Sequence, residues 1–388
     1  SNVFNDDVAG VVASYQFNEN VGLTAFWARP WNDNFTGWND TVHGKDYQSN
    51  YMDNVDVFAL LLPLSFDGVK VTPWGMYAAL GPNAFAAQTY DKDGNITGRN
   101  YFGNVSGTSA KYPTAGMFPA GGAMHKDGTL VNKRLNSYGN AWWAGLTGEV
   151  TMWDPFRIAW DFNYGSAQYD ESRLNRSGWL ASLLFEYKMD WGIPGLYGWY
   201  ASGDDDNPAN GSERMPSMSV NNGNNGFSNF AFNGNPYWTN REGVLGYSMA
   251  GTWGIGARIK DVSFVEDLKH TLRVNYIGGT NAPKMAKYIV GNTRGYPGLD
   301  PDGINGPNMQ GLGMDPLYMT TQDSALEIGL SNSYQMYENF TVYLDANYLA
   351  TWLDHSRSVW GNSKMNGKGG SDQERDPWNV NLSFVYAF

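Results

Sequence analysis

Asn379-Val380-Asn381-Leu382-Ser383-Phe384-Val385-Tyr386-Ala387-Phe388 alternates large apolar residues with small or polar ones. In an extended chain successive side chains point to opposite faces, so Trp378, Val380, Leu382, Phe384, Tyr386 and Phe388 share one side. Asparagine, serine and small residues share the other. A face this rich in Trp, Phe and Leu suits hydrocarbon, and strands with apolar side chains outward and polar ones inward are what a barrel in a bilayer requires.

The same design recurs upstream. Phe156, Ile158, Trp160, Phe162 and Tyr164 fall on one face while Arg157, Asp161 and Asn163 fall on the other. From Phe340, residues Val342, Leu344, Ala346 and Tyr348 oppose Thr341, Asp345 and Asn347. Period-2 patterning predicts about thirteen strands: Val8–Phe17, Val21–Arg29, Asn54–Leu64, Val69–Leu80, Ala141–Met152, Phe156–Ser166, Gly178–Lys188, Gly195–Ser202, Gly243–Lys260, Lys269–Gly278, Ser324–Gln335, Phe340–Trp352 and Pro377–Phe388. Most approach the roughly 9 to 11 residues that a tilted strand needs to cross a bilayer.

Connections alternate between short and long. The short ones run 18–20, 65–68, 153–155, 189–194, 261–268 and 336–339; the long ones run 30–53, 81–140, 167–177, 203–242, 279–323 and 353–376. Asp67-Gly68, Asp154-Pro155 and Gly192-Ile193-Pro194 are chain reversers. Tight turns on one rim and long loops on the other predict an all-β, antiparallel up-and-down transmembrane β-barrel forming a single domain over 1–388. Strand directions counted back from the last strand make the first one descend as well. An even-stranded barrel with a periplasmic start would then hold 14 or 16 strands, 16 being favoured, with one or three preceding Val8–Phe17. An extra hairpin closed by Asp93-Gly94 would also correct the parity.

Composition agrees. The chain of 388 residues has no cysteine, which removes disulfide, zinc-cluster and thiol chemistry. A net charge of -12 argues against nucleic-acid binding, since few cations remain to neutralise phosphates. Aromatic residues reach 15% although mean hydropathy is only -0.46, a pairing that suits interfacial aromatic girdles around a wet lumen. The longest apolar run, Val57 to Leu62, is far shorter than a membrane helix, and Ser1 to Asp7 do not read as a signal peptide.

The terminal Asn381-Leu382-Ser383-Phe384-Val385-Tyr386-Ala387-Phe388 resembles the closing strand of bacterial outer-membrane barrels, and the whole chain resembles bacterial outer-membrane porins, most nearly the trimeric general-diffusion class. The resemblance implies localisation in the outer membrane, contact with its lipid, a homotrimer, and passive diffusion of small hydrophilic solutes and ions without cofactor or covalent chemistry. The alternatives are a substrate-specific saccharide or carboxylate channel, suggested by aromatic loop residues such as Tyr237-Trp238, and, from another class, a secreted β-rich carbohydrate-binding protein or hydrolase.

Lys70, Glu149, Arg157, Asp161, Glu186, Lys188, Arg273, Glu327 and Asp345 fall on the polar faces and are the expected pore-lining set, with Arg157 and Arg273 on the basic wall. Opposed charges in a water-filled tube set a transverse field that orients dipolar solutes and penalises apolar ones. The plainer role for each is an ion pair that stiffens the wall. The stretch 81–140 is the first candidate for a loop folded inside as a constriction, and 30–53 the second. Asp204-Asp205-Asp206 offers oxygen ligands to a structural Ca²⁺, against the simpler reading of a solvated loop tip. Asp91-Lys92-Asp93-Gly94-Asn95 departs from a calcium loop at its glycine and reads as a turn. His43, His125, His270 and His355 stand in no hydrolase motif, so no enzyme is expected. Leu60 with Leu61, and inward Leu180 and Leu184 beside Trp179 and Leu183, make two segments apolar on both faces, requiring either a loop on the lumen side or a neighbouring subunit. Gly198, Gly246, Gly251, Gly254 and Gly256 would permit close packing of walls or bends in the sheet.

Overall fold

The computed structural model describes residues 3–5, 8–32, 39–40, 45–46, 54–81, 87–90, 96–100, 116–120, 122–129, 131, 135, 137–220, 226–232, 243–246, 248–292, 318–354 and 376–387. One antiparallel sheet of 14 strands dominates. Thirteen of them follow one another around the wall in sequence order: β1 (Gly10–Gln16), β2 (Gly22–Asn32), β3 (Asn54–Leu61), β4 (Val69–Leu80), β5 (Gly139–Val150), β6 (Phe156–Gln168), β7 (Arg176–Tyr187), β8 (Ile193–Ala201), β9 (Thr252–Val265), β10 (Leu268–Gly279), β11 (Ser324–Tyr337), β12 (Phe340–Trp352) and β13 (Trp378–Tyr386). The fourteenth, Leu64–Phe66, resumes β3 after Pro63 and pairs with β4.

Every neighbouring wall pair is antiparallel, so with thirteen strands β1 and β13 run in the same direction. Among the described residues each of these two pairs on one side only. Residues 87–90 and 96–100 do form a hairpin around 91–95, as the Asp93-Gly94 alternative supposed, but as a separate two-stranded ribbon that leaves the wall count unchanged. In the two-residue turn before β4, Gly68 has φ of +69° and a Cβ there would lie 2.6 Å from Met152, so the position admits only glycine.

The expected strand 243–260 is displaced: β9 begins at Thr252 and runs on to Val265. Gly251, with φ of +74°, cannot continue the ladder of β9, and Gly246 bridges Phe232 of the preceding loop instead of a wall strand, so 243–246 and 248–251 belong to that loop. Past Lys260, β9 continues through a bulge that absorbs the left-handed Asp261.

Side-chain direction follows the period-2 reading. Phe384 is 64% exposed, Leu196 64% and Ile255 61%, within an outward band that also carries Phe162, Phe185, Leu272, Ile328, Leu344 and Val380. Trp160 and Val342 lie on this outer side. Phe388 is outside the described residues. The inner faces of β3, β4, β5, β7, β8, β10, β11 and β12 all contribute to one apolar cluster with loop residues such as Met117, Phe118, Met218, Phe227 and Phe232. A single cluster shared by strands this far apart in the sheet requires the sheet to curl around it. Val57 and Ala59 on β3, and Leu180 and Leu184 on β7, lie in this cluster, so folded-in loops cover the lumen side of the doubly apolar segments. Gly254 and Gly256 also face inward, where Cβ atoms would lie 2.3 Å from the Trp199 ring and 2.5 Å from the Tyr197 ring. They make room for inward aromatics and do not serve wall-to-wall packing.

Candidate functional site

The inner wall near the turn rim carries a row of alternating charges. Arg157 on β6 stands directly opposite Glu186 on β7, with Nη1 2.7 Å from Oε2. Its Nε donates to Glu149 Oε2 on β5 at 2.9 Å, and Lys70 on β4 reaches the other Glu149 oxygen at 3.4 Å. Glu186 continues the row in the other direction, accepting from Arg258 Nη2 at 2.9 Å and Lys260 Nζ at 3.1 Å on β9. Those partners lie two strands away, with Gly195 of β8 in register between them. A Cβ there would come 3.0 Å from Glu186 Cγ, so the missing side chain lets the carboxylate reach across. Lys70, Glu149, Arg157, Arg258, Lys260 and Glu186 thus span six strands. Solvation varies along the row: the Lys70 side chain is 66% exposed, that of Glu186 only 3%, and that of Lys260 at the far end 30%.

Farther toward the loop rim the inner wall is covered. The segment 226–232 lies against β8, β9, β10 and β11. Phe227 stacks on Tyr197 with centroids 4.2 Å apart, and its carbonyl accepts from Tyr197 Oη at 3.0 Å and Asn275 Nδ2 at 2.8 Å. Arg258 Nη1 donates to Gly226 O at 3.1 Å, and Asn229 Nδ2 to Ser331 Oγ at 2.5 Å. The central contact is Glu327 of β11, which is 0% exposed. Its Oε1 accepts from Ser228 Oγ (3.0 Å) and from the backbone N–H groups of Asn229 (3.0 Å), Phe230 (2.8 Å) and Ala231 (3.3 Å). Its Oε2 accepts from Asn275 Nδ2 at 2.8 Å. Successive amides turned toward one carboxylate form a small anion nest.

A second covering piece comes from 116–131. Tyr169 Oη donates to Met117 O at 3.0 Å and Arg176 Nη1 to Phe118 O at 3.0 Å, with the Phe118 and Tyr169 rings stacked at 4.7 Å. Part of the expected constriction loop 81–140 therefore packs inside; its residues 82–86, 91–95 and 101–115 lie outside the described residues, as does most of 33–53. The segment holding Glu327, from the loop 203–242, was not anticipated.

The expected pore-lining residues divide accordingly. Lys70, Glu149, Arg157 and Glu186 form the charge row. Asp161 faces inward opposite Thr147 and Ser182. Lys188 is exposed, one residue beyond the end of β7 in the turn. Arg273 is 9% exposed and stands opposite Arg258, within electrostatic reach of Glu327 and Asp345. Glu327 and Asp345 are buried, so neither presents its carboxylate to an open lumen. Arg258, Lys260 and Asn275 were missed. The spacing Gly254, Gly256, Arg258, Lys260 already placed both cations on one face of β9.

The three aspartates read as a calcium site do not converge. Asp204 is buried and accepts from Ser212 Oγ at 2.5 Å, from Glu213 N at 3.2 Å and from the Tyr318 hydroxyl. Asp205 accepts from Asn207 N and Asn210 Nδ2, and Asp206 lies 3.5 Å from Lys284 Nζ. Among the described residues no group of three acidic or histidine side chains is placed to hold a metal ion. The expectation of calcium is corrected: Asp204 ties 203–213 to 318. Burial beside this network raises the Glu213 carboxyl above its ordinary 4.5, with Asp204 and Asp205 adding to the shift.

Known structures give likenesses at low identity. OprD, an outer membrane protein from Pseudomonas aeruginosa, aligns over 96% of this chain and 66% of its own, with 9% identity and a TM-score of 0.42. The chain thus spans about two thirds of that protein's length. OmpT, an outer membrane protein of Vibrio cholerae, aligns over 100% and 99% with 11% identity and a TM-score of 0.29. The outer membrane channel DcaP of Acinetobacter baumannii aligns over 100% and 99% with 10% identity and a TM-score of 0.30. No protein-family model and no curated protein matches.

Proposed function

We propose that the chain forms a water-filled channel in the bacterial outer membrane through which small hydrophilic solutes and ions diffuse passively. The observation that supports this reading most is the division of the wall. Its outer face is a band of exposed Phe, Leu, Ile and Trp, and its inner face near the turn rim is a six-residue row of alternating charges. An outward apolar band suits lipid, while paired charges need water or each other. Alternating signs along the row, four cations interleaved with two carboxylates, favour dipolar and hydrated solutes.

A carboxylate-specific channel is the second reading. Arg273 Nε and Nη1 and Arg258 Nε are buried without a hydrogen-bond partner among the described residues, which favours an anionic solute there. Recording in planar bilayers separates the two. A general pore gives stepwise ohmic conductance insensitive to added solutes, whereas millimolar carboxylate blocks a specific one. A folded chain that stays monodisperse in buffer without detergent, and conducts nothing, defeats both.

A further inference from the structure

We propose that Glu327 is the positioning residue that holds segment 226–232 inside the lumen and thereby sets the width of the channel; this rests on the channel reading above.

Glu327 lies on the inner face of β11, where side chains of a pore wall would meet water, yet it is fully buried because the segment covers it. One of its oxygens gathers a hydroxyl and three consecutive backbone N–H groups. Those amides belong to no strand or helix. Other attachments of the segment to the wall are made by neutral side chains or end on carbonyl oxygens: Tyr197 and Asn275 to Phe227 O, Asn229 to Ser331, and Arg258 to Gly226 O. Hydrogen bonds to an ionised carboxylate are roughly twice as strong as neutral ones. Asn275 is itself oriented by the second Glu327 oxygen, so two of the four wall strands that hold the segment depend on this one side chain. Arg258 lies against it, donating to Gly226 O and standing over the Phe227 ring, so displacement of 226–232 would both widen the lumen and uncover this cation.

Glu327→Gln keeps the shape of the side chain and removes the charge. Single-channel conductance is expected to rise about twofold, as the cross-section at the covered level opens. The absence of cysteine allows a reversible rescue. With Asn229→Cys and Ser331→Cys added, a short bifunctional methanethiosulfonate reagent should return E327Q to the wild-type conductance, and reductant should reopen it. General weakening of the wall would not respond in this way. Conductance equal to wild type in E327Q, or a raised conductance that the cross-link does not lower, overturns the proposal. A third measurement does not need a pore: the rate at which a bulky maleimide modifies Asn229→Cys in detergent. Faster labelling in the E327Q background supports the anchoring role even if no protein conducts, and equal rates overturn it.

Discussion

The inner wall has two zones built from the same alternation of side chains, and they differ in what the inward residues meet. Near the turn rim, Lys70, Glu149, Arg157 and Glu186 meet one another across strands. Toward the loop rim, Trp143, Leu180, Tyr197, Trp199 and Glu327 meet loops that fold back onto them. An inward position on a barrel strand is therefore not by itself a pore-lining position. The nature of the residue separates the zones only in part, because Glu327 is as acidic as Glu186.

If the zones are independent, damage to one should spare the other. The largest effect is expected from Asp204→Ala. Its carboxylate is buried and accepts from Ser212 Oγ, Glu213 N and the Tyr318 hydroxyl. Removing a shared acceptor leaves buried donors unsatisfied, at about 1–3 kcal/mol each. Thermal melts should shift down and limited proteolysis should cut within 203–250, while the reversal potential under a salt gradient stays at the wild-type value. A changed potential would couple the zones. Glu186→Gln is the converse. Arg157, Arg258 and Lys260 lose their shared counter-charge. The cation-to-anion permeability ratio should fall roughly two- to fivefold, the factor given by about 1 kcal/mol or less of Coulomb energy in water. Proteolysis of 203–250 should be unaffected.

The sequence made the wall legible because lipid outside and water or loops inside impose period 2 on every strand, and twelve of the thirteen expected strands overlap the observed ones closely. The exception, 243–260, failed where Gly246 and Gly251 imitate an alternating strand while the positive φ of Gly251 and the bridge from Gly246 to Phe232 exclude one. Four of the six residues of the charge row were legible for the same reason of alternation. What alternation cannot carry is which loop returns to which wall. The contact between Glu327 and residues 228–231 joins positions about a hundred apart in sequence through backbone N–H groups, which every residue except proline possesses. No residue type announces it. The calcium reading failed similarly: three consecutive aspartates look alike in sequence, and only folding buries Asp204 while leaving Asp205 and Asp206 exposed.

The smallest expected effect is a dependence on pH at the edge of the covered zone. Burial raises the Glu213 carboxyl above 4.5, so the folded chain holds that proton more tightly than the unfolded one. Stability from this group is complete below 4.5 and is lost as pH rises through the raised value. The direction is opposite to that of a carboxylate stabilised by cations. Asp205 N and Asn210 Nδ2 still donate to the ionised form, and Glu213 is half-buried, so the loss is about 1 kcal/mol or less. Glu213→Gln should remove the slope, melting slightly higher than wild type at neutral pH and alike below 4.5. A variant that melts lower at neutral pH would show that the ionised carboxylate holds 205–213 together. In that case the Asp205 and Asn210 hydrogen bonds outweigh desolvation, and this corner of the covered zone follows the same charge-pairing rule as the row below.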